Sequence, residues 1–128
     1  MKQEELVQLA KQLELCDERE LVAKVVISYS NTYKVANVVT GRTSGAGSDG
    51  FVGIYKDQLV CFYSNLWGTK PEKEKFRISF EFIKHHEIKK GLFGLNNQFV
   101  IKAEADSFKL YFMGKRREII EKINHTIQ

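Results

Sequence analysis

A mainly β fold, about seven antiparallel strands with a helix at either end, is what this chain predicts, and three observations carry that prediction. Apolar side chains alternate with polar ones through most of residues 21–113, as in Phe99, Ile101, Ala103 and again in Phe108, Leu110, Phe112, the period of half-buried strands. Two strongly apolar runs, 51–55 and 59–63, are separated by a connection short enough for a hairpin. The last residues then switch period: Ile119, Ile120, Ile123 and Ile127 make one stripe of a helix, opposite Arg116, Arg117, Glu118, Glu121 and Lys122.

In chain order, residues 2–15 read as a first amphipathic helix, with Leu6, Leu9, Ala10 and Leu13 on one side. That stripe must cover an open face of the sheet or pair with the same helix of a second copy, so Leu6, Leu9 and Leu13 are candidates for self-association. The cluster Asp17-Glu18-Arg19-Glu20 breaks the pattern, although residues 20–24 are able to prolong the helix, and the β-branched run after Leu21 starts the first strand. Residues 33–39 have the composition of a short extra strand, and 41–50 that of a flexible loop. The hairpin follows, turning at Lys56-Asp57. Residues 64–75, with Trp67 and Pro71, read as a polar loop. Phe76, Ile78, Phe80 and Phe82 alternate until Ile83 falls out of phase, which predicts a bend or bulge. A turn over 90–97 and a hairpin joined at Ala105-Asp106 complete the strands. One domain over 1–128 is expected: an N-terminal helix within 1–16, a strand-built body over 18–113 and a closing helix over 114–127.

At 128 residues the chain is long enough to bury a core unaided. Its two cysteines, Cys16 and Cys61, follow a polar start that does not resemble a secretory signal, so reduced thiols and a cytoplasmic location are expected. No apolar run approaches the roughly 20 residues of a spanning helix. The net charge of +4 is uneven. Residues 1–69 hold 7 basic and 8 acidic side chains, and residues 70–128 hold 13 and 8.

The order of these segments resembles the pleckstrin-homology-like superfold, and within it the small bacterial and GRAM-like members. The resemblance rests on the helix and acidic lead-in from Leu6 to Glu20, on the glycine-led hairpin from Gly50-Phe51-Val52-Gly53 to Cys61-Phe62-Tyr63, on Phe76-Arg77-Ile78-Ser79-Phe80-Glu81-Phe82-Ile83, and on the turn Lys89-Lys90-Gly91. It implies a partly open barrel of two near-orthogonal antiparallel sheets with the C-terminal helix plugging one end. It also implies a binding or scaffolding role. The family's basic phosphoinositide spacing is not reproduced: Lys24, Lys34 and Arg42 are too far apart, and Glu104 and Asp106 would put acid at the same rim.

The residue types that carry chemistry are thinly spread. Residues 45–50 fit G-x-G-x-x-G, but a strand follows where a nucleotide loop would open a helix. His85 and His86 are neighbours on a strand and face opposite ways, with no further ligand at metal spacing. Cys61 lies between Val60 and Phe62, an environment for burial and not for a nucleophile. No catalytic residue, cofactor or metal is therefore expected, and the chain reads as a non-enzymatic module recognising protein or itself. The alternative is attachment to an anionic membrane surface through Arg42, Trp67, Lys70, Lys73 and Lys75, where an aromatic flanked by cations suits headgroups. A small-ligand carrier would need a hollow interior, which the many inward phenylalanines argue against. The aromatics between Lys84, Lys89, Lys90 and Lys102 are needed by the core, which argues against nucleic acid as well.

Overall fold

The computed structural model describes residues 3–29, 48–65, 70–91, 97–103 and 107–127. A helix, α1 (Gln3–Gln12), precedes seven strands: β1 (Val22–Tyr29), β2 (Ser48–Tyr55), β3 (Gln58–Ser64), β4 (Pro71–Ser79), β5 (Ile83–Lys89), β6 (Asn97–Ala103) and β7 (Ser107–Phe112). A second helix, α2 (Arg117–Ile127), closes the order. The strands form one continuous antiparallel ladder in the order β4-β3-β2-β1-β7-β6-β5. Its end strands, β4 and β5, are joined through a 3-10 turn at Phe80–Phe82 and are not hydrogen-bonded to each other.

This sheet is curled, because its distant strands share one core. The ring of Phe76 on β4 meets Phe108 on β7 edge-on at 4.9 Å, although three strands separate them in the ladder. The inner face supplies Val25, Ile27, Val52, Ile54, Leu59, Phe99, Ile101 and Leu110, and α2 presses Ile120, Ile123 and Ile127 into the same cluster. The helical stripe read from the isoleucines is thus the one that is buried, each such side chain contributing roughly 1.5–3 kcal/mol. Helix α2 begins later than residue 114, after a 3-10 turn at Gly114–Arg116.

The outer face carries a second, smaller core. Leu6, Ala10, Leu15 and Cys16 pack on Val22, Phe51, Val60 and Phe62, with the Phe51 and Phe62 rings stacked at 5.5 Å. Of the two partners open to the first helix, the chain's own sheet takes it. Helix α1 stops at Gln12 and does not reach residue 15, because the amide of Leu15 donates to the Ala10 carbonyl (2.8 Å) and that of Glu14 to Lys11 (3.1 Å). With Glu14 left-handed at φ 59°, these bonds make a Schellman stop that folds Leu15 and Cys16 back onto the sheet.

Two glycines allow close approaches on β2. A Cβ at Gly50 would stand 2.6 Å from the Phe62 carbonyl oxygen, and one at Gly53 2.9 Å from that of Leu15. Residues 48–50, expected in a loop, are the first of β2 for this reason: only glycine lets β3 and Ile27 close over it. The predicted hairpin turns at Lys56-Asp57, with Tyr55 opposite Gln58 and Lys56 left-handed at φ 56°. Within the polar loop expected over 64–75, residues 71–75 are strand, since β4 starts at Pro71, and 66–69 lie outside the described residues. The phase slip before Ile83 is the 3-10 turn, followed by a one-residue register shift between Ile83 and His85. The expected extra strand over 33–39 and the loop over 41–47 lie outside the described residues.

Candidate functional site

Two of the lysines singled out in the sequence, Lys73 and Lys75, come together on the edge strand β4, and the ladder explains how. Cys61 pairs with Phe76, but Phe62 pairs with Glu74, so Lys75 is an extra residue with no opposite number. A bulge of this kind turns the side chains that precede it to the other face. It sorts the charges of Glu74-Lys75 by face. Glu74 stands opposite Phe62 on the outer face, where Arg77 donates to it at 3.0 Å. Lys73 and Lys75 gather at the ring of Tyr63, their ammonium nitrogens 5.9 and 4.8 Å from its centroid.

A cation over an aromatic face gains roughly 0.5–1 kcal/mol at an exposed site, enough to bias where a long side chain points. Two ammonium groups are thereby held at one ring. Lys70 stands close by along the chain: its amide donates to Asn65 Oδ1 at 3.1 Å, and its carbonyl accepts from the Asn65 amide at 2.8 Å. Lys70 and Lys73 are exposed and Lys75 is half-buried. Arg42 and Trp67, the other two residues of the expected contact set, lie outside the described residues. Tyr63 was missed as a functional residue, since in the sequence it reads as one more aromatic of the hairpin.

A second tyrosine platform is structural. Arg77 lies 5.6 Å and Lys56 5.4 Å from the Tyr55 ring centroid. The Arg77 guanidinium also donates to Gln58 Oε1 at 2.8 Å and to the Glu14 carbonyl at 3.4 Å, so its donors are committed within the chain. Next to it, Asp17 clamps the hairpin. Its carboxylate accepts from the Lys56 amide (2.7 Å), the Arg19 amide (3.0 Å) and the Arg19 guanidinium (2.7 Å). The Arg19 side chain, helped by the two amides, holds the Asp17 carboxyl down at about 2 against the cost of its burial. Arg19 in turn donates to the Lys56 carbonyl.

The leucines proposed for self-association divide. Leu6 is buried on the sheet, Leu9 is half-buried, and Leu13, just beyond α1, keeps 48% exposure. With Phe82 and Met113 it is one of three exposed large apolar side chains among the described residues.

The histidines do face opposite ways: His85 is exposed and His86 shares a hydrogen bond with Asn124 of α2. Among the described residues no three His, Cys, Asp or Glu side chains converge as metal ligands. Both cysteines are free and buried. Burial pushes the Cys16 thiol up to about 11, with Asp17 adding to it, and pushes that of Cys61 higher still. Neither is a thiolate near neutral pH. Among the described residues the surface also carries open grooves. One of about 580 Å³ runs between Arg19, Leu21 and the α2 residues Glu118, Glu121, Lys122 and His125. Another, about 540 Å³, lies between the hairpin turn and Ser79, Phe80 and Glu81. Among the described residues no helix is long and apolar enough to cross a membrane.

No protein-family model matches this sequence, and no curated protein matches it. Solved structures do. The "Apo structure of the activated truncation of Vav1" aligns with 97% of the chain at a TM-score of 0.59 and 9% identity, and "Autoinhibited Vav1" with 98% at 0.53 and 10%. The "PH domain from TgAPH" aligns with 98% of the chain at a TM-score of 0.52 and 13% identity, and 93% of that domain is covered. The chain spans 33% and 22% of the two Vav1 chains. At these identities the likeness is one of fold: a pleckstrin-homology-like architecture.

Proposed function

We propose that this chain is a non-catalytic binding or scaffold module that contacts protein partners and copies of itself. The observation that carries this reading is the Tyr63, Lys73 and Lys75 cluster, an organised cationic spot on an edge strand above an interior filled with apolar side chains. Carboxylates on a partner's surface are its natural counterpart, because two ammonium groups already held near one ring lose less freedom when they are paired. The curled ladder suits a partly open barrel of two near-orthogonal halves. The resemblance of the hairpin and of residues 76–83 to the small bacterial, GRAM-like members supports reading the chain as one of them, at work in the cytoplasm.

Titration with hexaglutamate, followed by backbone amide shifts, tests this reading. Salt-sensitive shifts centred on Tyr63, Lys70, Lys73 and Lys75, lost in the double variant K73E/K75E, are expected. Shifts scattered over the surface, or none at low salt, would sink it. The same lysines favour a second reading, attachment to an anionic membrane, with Arg42 and Trp67 joining them. Co-sedimentation with phosphatidylserine vesicles that exceeds the response to hexaglutamate would favour the membrane over protein.

A further inference from the structure

Helix α1 is a cover laid on a sheet that already has a core on its other side. Beneath it lie Val22, Phe51, Val60 and Phe62, and its ties to the body include Gln3 donating to the Val22 carbonyl at 2.9 Å, Lys11 pairing with Glu20 at 2.9 Å and Glu18 at 3.8 Å, the Cys16 thiol donating to the Val7 carbonyl, and the burial of Leu6, Val7 and Ala10. The segment that follows is anchored separately. The Asp17 amide donates to the Ile54 carbonyl, the Asp17 carboxylate holds Lys56, and Leu15 and Cys16 are buried. The hinge between cover and body is therefore confined to Leu13 and Glu14. That hinge is strained, since Glu14 occupies the left-handed C′ position of a Schellman stop, where glycine is favoured and a Cβ is penalised.

We propose that α1 is an exchangeable arm: in a dimer of this chain, each copy's Gln3–Gln12 helix covers the Val22, Phe51, Val60 and Phe62 face of the other. This rests on the self-association half of the reading above. Straightening the hinge at Glu14 releases the arm without disturbing Asp17, and every arm-to-body contact named here re-forms across the dimer. What changes is the hinge: the Leu15 and Glu14 amides leave the Ala10 and Lys11 carbonyls for water as Glu14 leaves the left-handed region, and a short strained hinge between an arm and its docking face is the setting in which exchange is favoured. Leu13, exposed in the closed chain, lies at the crossover, where the two hinges pass each other.

The magnitude follows from two terms. A short tether holds its own arm at an effective concentration of about 1 mM, which an arm from a second copy must match. Leaving the left-handed region favours the exchanged form by about five-fold per hinge, or about 25-fold for two. The midpoint for dimer formation then falls to about 40 µM.

Light scattering on the full chain from roughly 10 µM to about 3 mM, a range that brackets those two concentrations, is the first measurement. A mass rising toward twice the monomer is expected. Glu14→Gly, which accepts the left-handed conformation, shifts the midpoint up by about 25-fold, whereas Glu14→Ala, which removes the charge and keeps the Cβ, leaves it in place. The second measurement uses the pair of Lys11 and Glu20, whose charged ends meet at 2.9 Å. Lys11→Glu and Glu20→Lys chains each carry a like-charge pair when the arm is home, and mixing them restores opposite-charge pairs only in an exchanged dimer. A dimer midpoint for the mixture below that of either variant alone is expected. A dimeric mass whose midpoint mixing does not change overturns arm exchange and leaves self-association standing. A monomeric mass at every concentration overturns both.

Discussion

Replacing Asp17 with asparagine should cost this protein about 2–3 kcal/mol, and the structure says where that energy comes from. The Asp17 side chain is 20% exposed and accepts from two backbone amides and one guanidinium. Its carboxyl is held at about 2, against 3.8 for the free group. At about 1.36 kcal/mol for each pH unit, that difference corresponds to roughly 2 kcal/mol of stability. The sign follows from the depressed value. The contribution is fully present above about pH 4, where the unfolded chain is also ionised, and is lost as the pH falls toward 2. Asparagine keeps the shape and one acceptor but loses the charge, and its amide group faces donors. Lys56, left-handed at the hairpin turn, then loses the partner that holds its N–H. Urea unfolding of both forms at pH 7, 4 and 2.5 is the assay. The variant should be weaker by about 2–3 kcal/mol at pH 7, with the gap closing as the pH drops. A difference below about 0.5 kcal/mol at pH 7, within the range of an ordinary surface ion pair, would refute the clamp. So would a gap that does not narrow in acid.

Two further outcomes follow from the packing. Gly50→Ala should destabilise the chain by about 1–3 kcal/mol, because the added Cβ meets the Phe62 backbone oxygen at 2.6 Å and neither strand has room to yield; thermal unfolding within a degree of the parent would contradict this. Cys16 and Cys61 should resist an aromatic disulfide reagent in the folded protein at pH 8 and react fully in denaturant, since both thiols are buried and raised; rapid labelling of either in the folded state would show that its surroundings open.

The parts of the fold that were legible are those in which one face is buried and the other wet. Alternation in 99–103 and 108–112 and the four isoleucines of α2 each report a local choice of period, which a sequence carries in full. The first half of edge strand β4 escaped because Glu72-Lys73-Glu74-Lys75 has no buried face; it is held by its ladder to β3, and charge on an edge strand guards against unwanted pairing. The lysines of the candidate site were visible as a cluster. Their grouping on Tyr63 was not, because it depends on a bulge that places Lys75 out of register, and a bulge is settled by two strands together.

Residue order by itself determined the alternation of the strands that have one buried face, where the main hairpin turns and which stripe α2 would bury, since these follow from side-chain periodicity along a single segment. Only the tertiary structure decided that α1 lies on the outer face of the sheet, that Asp17 reaches Lys56, and that Lys73 and Lys75 meet over one ring. Each of these joins residues far apart in the chain or in different elements, and their positions relative to one another exist only once the sheet has curled and the ladder has chosen its register.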